Sequence, residues 1–190
     1  MARKKHAIID IDNTLWHFCD MLHEQLLRIN PSFPPTDEWI DWDFWQHFCS
    51  ESEFMNAIHH VHFNQDDEKH MPYPEAQYFL QTLRDEGFHI TIASHRSEAS
   101  RKPTERWLHR HGLPFHNLHL SFNKAVLFEE NCCVVVDDAP MVLEKAKEKG
   151  LISAGLLFPW NRLYRENGFV LFDNLNDILR FVLGKYAEHA

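Results

Sequence analysis

The apolar and polar positions of this chain change period several times, and each change marks an element. Ala7-Ile8-Ile9 is continuously apolar, the pattern of a strand covered on both faces, and predicts a strand over 6–11. A helix opening at Pro74 follows from the helical spacing of Ala76, Phe79, Leu80 and Leu83, with Gly87 placed to stop it. A strand is expected at Phe88 to Ala93, a helix from Glu98 to His111 ending at Gly112, and a short strand near Leu118 to Leu120. Cys132 to Val136 reads as another buried strand, Pro140 to Gly150 as a helix, and Ile152 to Leu157 and Val170 to Phe172 as strands before a final helix from Asn174. Strands alternating with amphipathic helices predict an α/β fold, a three-layer sandwich with a mostly parallel, Rossmann-like sheet.

One segment breaks the alternation. Residues 16–72 have helical periodicity, many large rings and no convincing strand, and are read as a small helical cap inserted after the first strand. The α/β core domain is then 1–15 together with 73–190, with Pro72-Tyr73-Pro74 as the return hinge. An insertion at that point overhangs the carboxyl ends of the strands, where open parallel sheets bind ligands, and is placed to act as a lid. Its rings include Trp16, Phe18, Phe33, Trp39, Trp42, Phe44, Trp45, Phe48, Phe54 and Phe63. Most should fill the centre of a small helical unit, leaving one or two for a flat ligand to stack on.

Composition narrows the function classes. The 190 residues, 44% hydrophobic and 13% aromatic, suffice for a sizeable core. With 28 acidic against 19 basic residues, a nucleic-acid polymer is an unsuitable partner, although a local cluster of donors can still hold a small phosphorylated molecule. No run reaches membrane-spanning length, so no membrane partner is expected. Four cysteines without Cys-x-x-Cys pairs suit a reducing compartment, and a cytoplasmic location is expected.

The chemistry gathers at the predicted strand ends. Asp10 and Asp12 follow the first strand, Ser94 the second, Lys124 lies in a later loop, and Asp137 with Asp138 follow Cys132 to Val136. Residues i and i+2 of an extended segment face the same way, so Asp10 and Asp12 are expected to share a small volume and to raise one another's pKa. Four carboxylates on one sheet edge need compensation, and an all-oxygen site with room for water or phosphate oxygens suits Mg²⁺. Each group has a plainer reading. Asp137-Asp138 or Ser94 would suit a helix cap, and Lys124 a solvated surface. Their joint order along the chain favours a site.

That set resembles the haloacid dehalogenase superfamily of phosphohydrolases: Asp-x-Asp-x-Thr after the first strand, a Ser after the second, a distant Lys, and an Asp-Asp pair after another hydrophobic strand. Asn13 stands where many members have Gly, and Asn best tolerates the same left-handed backbone. The resemblance implies Asp10 as nucleophile, giving an aspartyl-phosphate, and Asp12 as the acid and then the base. It also implies Mg²⁺ on the Asp10 carboxylate, the Asp12 backbone carbonyl and Asp138, with Asp137 beside it. Ser94 and Lys124 would then bind the phosphate.

A narrower resemblance is to the capped 5'-nucleotidases of deoxyribonucleotides, on the size and place of the cap and on the run Phe158-Pro159-Trp160-Asn161-Arg162. It implies a 5'-nucleotidase acting on (deoxy)nucleoside monophosphates. The alternatives are a sugar-phosphate or phosphotyrosine phosphatase, since Asp-x-Asp-x-Thr-Leu-Trp also looks like magnesium-dependent phosphatases of those esters, or a non-hydrolytic phospho-acceptor domain. His59, His60 and His62, and likewise His109 and His111, lack a known ligand spacing and are read as solvated faces.

Overall fold

The computed structural model describes residues 5–128 and 132–189. Strands β1 (His6–Ile9), β2 (His89–Ser94), β3 (Asn117–Leu120), β4 (Cys132–Val136), β5 (Ile152–Leu156) and β6 (Leu171–Phe172) form one sheet in the order β3-β2-β1-β4-β5-β6. Every pairing is parallel. The helices are α1 (Phe18–Ile29), α2 (Glu51–Phe63), α3 (Ala76–Asp85), α4 (Arg101–Arg110), α5 (Pro140–Glu148) and α6 (Leu175–His189).

Alternation within β1 shows why both faces are covered. Ala7 and Ile9 enter a large cluster with Ile90, Val134, Leu80 of α3 and Ile178 of α6. Ile8 points the other way, into a smaller cluster with Val135 and with Val142 and Ala146 of α5. The three layers expected from the alternating pattern are therefore present, with β1 and β4 at the centre, where fully apolar strands belong.

Register aligns the strand ends. Ile9 lies opposite Ile92 on one side and Val136 on the other, and the Asp10 amide donates to the Val136 carbonyl at 2.9 Å. Asp10 thus stands beside the end of β2 and the start of the loop after β4. Glycine is required at 155 for the same reason: a Cβ there would stand 2.2 Å from the Asp137 carbonyl oxygen and displace that loop.

Several boundaries differ from the sequence expectation. The first strand ends at Ile9, not Ile11, because the Ile11 carbonyl accepts from Thr14 and Leu15 and closes a turn. The helix expected from Glu98 begins as a 3-10 turn over Glu98–Ser100 before α4. Between β1 and α3 the described chain carries α1, α2 and short 3-10 turns, and its two ends meet where Trp16 bridges to Pro72 and the Tyr73 amide donates to the Leu15 carbonyl. A capping box starts α2, Ser50 and Glu53 each satisfying the other's backbone amide. Rings fill the middle of this insert, Trp39 stacked on Phe44 and Trp45 on Phe54.

Candidate active site

Asp10, Asp137 and Asp138, all buried, each offer a carboxylate oxygen to one small volume, these oxygens lying within 4.8 Å of one another. Lys124, also buried, reaches in from the 3-10 turn Lys124–Leu127 and donates to Asp10 Oδ1 at 2.5 Å and Asp137 Oδ2 at 2.7 Å. The solvated-surface reading of Lys124 therefore fails: its ammonium is the counter-ion of the cluster. Burial alone would lower its pKa, but Asp10 and Asp137 more than offset that and raise it. The helix-cap reading of Asp137-Asp138 fails too: the N-cap of α5 is Ala139 and no side chain caps the helix, while Asp137 Oδ1 accepts from the Ala139 amide at 3.0 Å and its other oxygen serves Lys124.

One ammonium does not balance three carboxylates. Burial first, and then Asp137 and Asp12, push Asp10 up to about 7 against the pull of Lys124. Burial and the charges of Asp10 and Asp137 raise Asp138 well above its ordinary value. Asp10 Oδ2 is buried with no hydrogen-bond partner. An orphaned carboxylate oxygen, two neighbouring carboxylates and an all-oxygen donor set fit a hard divalent cation such as Mg²⁺.

Asn13 joins this cluster to the insert. It holds φ 56°, the left-handed region that Asn enters at low cost, as the sequence predicts. Its amide nitrogen donates to Asp138 Oδ2 at 3.2 Å, and its oxygen accepts from the Cys19 amide at the start of α1 at 2.9 Å. Asn161, fully buried, donates to the Asp138 and Leu156 carbonyls, so the aromatic-Pro-Asn run braces the loop that carries Asp138.

Asp12 has a different set of partners. Its Oδ2 accepts from Ser94 Oγ at 3.1 Å and Arg96 Nε at 2.9 Å; its Oδ1 accepts from Trp16 Nε1 at 2.9 Å and from the second Arg96 nitrogen at 2.5 Å. His62 Nε2 of α2 stands 3.2 Å from Oδ2, at ion-pair distance without the angles of a hydrogen bond. Burial would raise the Asp12 pKa, but Arg96 and then His62 outweigh it and hold the carboxyl well below the usual carboxylate range. The mutual raising expected for Asp10 and Asp12 is thus one-sided: both line one cleft and the Asp12 charge adds to the rise of Asp10, but Asp12 itself is held down by its own cations.

All six expected residues, Asp10, Asp12, Ser94, Lys124, Asp137 and Asp138, line one cleft of about 350 Å³. His62 lines it too, which corrects its reading as a solvated residue: it is buried, because it shares the α2 face of Ile58 and Phe54 at spacings of four and eight. His111 is half-buried, edge-on to Trp107. That spacing of His62 was visible in the sequence. Arg96, fully buried and also bonded to Thr104 and to Gln65 of the insert, carried a weaker signal, a lone basic residue two places after Ser94. His95 joins the lining, with burial and then the Lys124 charge lowering its pKa to about 4.

No family model matches the chain, and no curated protein does. Solved structures do match, over nearly their whole length. A haloacid dehalogenase-like family hydrolase from Streptococcus pneumoniae is 12% identical at a TM-score of 0.64, covering 95% of this chain and 99% of its own. A structure described as a predicted phosphatase from Clostridium acetobutylicum is 14% identical at a TM-score of 0.68, covering 96% and 100%. Another, described as a predicted phosphoglycolate phosphatase from Haemophilus somnus, is 16% identical at 0.62, covering 95% and 98%. The fold is the haloacid dehalogenase-like one. At such identities the likeness concerns architecture: a six-stranded parallel sheet flanked by helices. Among the described residues, no helix is long and apolar enough to cross a membrane.

Proposed function

We propose that this chain is a Mg²⁺-dependent phosphomonoester hydrolase acting through Asp10. The observation that carries the reading is the Asp10 carboxylate itself, one oxygen held by Lys124 and the other buried without a partner beside Asp137 and Asp138. A divalent cation there would be held by the Asp10 and Asp138 carboxylates and the Asp12 backbone carbonyl, with Asp137 adjacent. It would supply charge neutralisation for the phosphoryl oxygens.

Asp10 attacks phosphorus in line; the P–O bond to the leaving alcohol breaks and an aspartyl-phosphate forms. Lys124 neutralises charge on Asp10 and the transferring group, and Ser94 donates to a phosphate oxygen once its hydroxyl turns from Asp12. Asp12, ionised in its Arg96 fork, is ready to take a proton from the water that hydrolyses the intermediate. To protonate a leaving alkoxide it must first leave that fork and take up a proton from solvent. A pure phospho-acceptor domain would have no use for this second carboxylate, which speeds loss of the phosphoryl group.

The insert, 16–72, is proposed as a cap over the core formed by 1–15 and 73–190, because α2 brings His62, Ile58 and Phe54 to the same cleft. The leaving group is proposed to be small, in keeping with the cleft's volume. Nucleoside monophosphates are the first reading, on the aromatic-Pro-Asn run and the cap's position; sugar phosphates are the second.

The test is phosphate release from nucleoside 5'-monophosphates, sugar phosphates and phosphotyrosine, with Mg²⁺ or with chelator, for wild type and Asp10→Asn. Metal-dependent release, reduced at least about 10⁴-fold by the substitution, is expected. Release that survives either chelation or Asp10→Asn overturns the mechanism.

A further inference from the structure

Away from the carboxylates, the cleft changes character. The insert contributes Phe18, Trp42, Phe54, Met55 and Ile58, and the core adds Phe122 and Met141. Among the described lining residues Lys124 is the only lysine or arginine, and it is fully engaged by Asp10 and Asp137. Ser94 is committed to Asp12, Asn13 to Asp138 and the Cys19 amide, and His62 stands against Asp12, which leaves the His95 imidazole of the lining with no hydrogen bond among the described residues. A leaving group bearing a carboxylate would meet no free cation there. One bearing several hydroxyls would lose its water with little besides the His95 imidazole to bond in return, which costs affinity.

The rings divide by whether a face is free. Phe54 is stacked on Trp45 and Phe18 on His62, so those faces are covered. Among the described rings Trp42 meets only Trp160, in a T-shaped contact, and is 48% exposed; Phe122 has no ring partner among the described residues and is 69% exposed. One comes from the insert and the other from the loop after β3, yet both line the cleft that holds Asp10. Lining one cleft together with Met55, Ile58 and Met141, these rings form an apolar surface next to the charge cluster rather than singly scattered side chains. The cleft also adjoins an apolar pocket of about 150 Å³, sharing Phe18, Trp42, Phe54 and Ile58 and extending to Trp39 and Trp160.

We infer that the alcohol released by this site carries an uncharged aromatic ring, held against Trp42 of the insert and Phe122 of the core. This rests on the phosphomonoesterase reading and narrows it to aromatic phosphate esters, against polyol phosphates and phosphorylated carboxylic acids. Nucleoside 5'-monophosphates and simple aryl phosphates share the chemistry and differ in how far the ring stands from phosphorus.

The experiment measures kcat/KM of the full chain with Mg²⁺ on four esters: a nucleoside 5'-monophosphate, phenyl phosphate, glycerol 3-phosphate and phosphoglycolate. Wild type is compared with Trp42→Ala and Phe122→Ala, both exposed rings whose removal spares the core. Wild type is expected to prefer at least one aromatic ester by tenfold or more, and each substitution to reduce the ratio of aromatic to glycerol ester by about tenfold. Whether the nucleotide or the phenyl ester leads identifies the source, and either result supports the inference. Preference for glycerol 3-phosphate or phosphoglycolate, or a ratio insensitive to both substitutions, overturns it while leaving the phosphatase reading intact. No release from any of the four esters overturns both.

Discussion

Asp10 and Asp12 are two residues apart on one turn, yet their surroundings set them to opposite tasks. Asp10 shares a single ammonium with Asp137, lies against Asp138 and is raised to about 7; Asp12 has a guanidinium fork, a hydroxyl and an indole N–H and is held well below the usual range. The first pocket is short of positive charge and receptive to a cation. The second is locally neutral and keeps its carboxylate ionised and oriented. Proximity in sequence did not make these groups alike; the partner each found decided its chemistry.

The largest effect should come from the Asp10 side. Lys124→Met removes the only cation that the described residues bond to the cluster, so kcat is expected to fall by about 10²–10³-fold. Because removing one partner of a buried pair leaves the other charge uncompensated, the metal-free variant should also be less stable. Steady-state kinetics at saturating Mg²⁺ separate the two, and an undiminished kcat would remove Lys124 from the chemistry.

The Asp12 side should respond more selectively. Arg96→Met removes the fork that holds Asp12 ionised and oriented as base, so hydrolysis of the aspartyl-phosphate, and with it steady-state turnover of alkyl and p-nitrophenyl phosphate alike, is expected to fall by about 10²-fold. The burst of p-nitrophenol that precedes that step should be spared, because its leaving group needs little protonation. Loss of the burst as well would make Arg96 a structural residue only. Arg96→Lys, which keeps the charge without the fork, should give an intermediate result if the variants fold alike.

These two sides were not equally legible. The carboxylates, Ser94 and Lys124 sit at strand ends or in the loops beyond them, and strand ends could be read from apolar runs bounded by turn residues. Asn13 could be read because few residues enter the left-handed region cheaply. Arg96 and His62 reach Asp12, and Gln65 reaches Arg96, through the docking of the insert and α4 against the strand ends, which no local period encodes; His62 left a trace only as one more member of an apolar helical stripe. The sheet's layers were legible for the same reason as the Asp10 cluster. The end of β1 was not, because Ile11 continues the apolar pattern while its carbonyl closes a turn.

Metal and pH sharpen the contrast further. Without a cation, folded Asp10 keeps a proton up to about 7, whereas the unfolded chain releases it near the ordinary value of about 4. The folded state therefore binds more protons across that window, and this group's contribution to stability is lost as pH rises through it. A cation needs the ionised carboxylate. The rise in Tm produced by Mg²⁺ over chelator should thus be small at pH 5, grow through about pH 7 and level off above it. In Asp10→Asn the growth should disappear. A Tm increment independent of pH would mean that the cation does not engage Asp10.

The smallest effect is expected at the residue that follows the second aspartate. Asn13→Gly preserves the positive φ and removes both side-chain hydrogen bonds; Asn13→Ala removes the same bonds and adds strain at φ 56°. The difference in unfolding free energy between these variants isolates the backbone contribution, expected at about 1 kcal/mol with Gly the more stable. Both should bind Mg²⁺ more weakly than wild type, because Asp138 loses the amide that orients it. If Gly and Ala prove equally stable, the turn does not depend on a left-handed residue, and the divergence of Asp10 from Asp12 must be imposed by Lys124 and Arg96 instead.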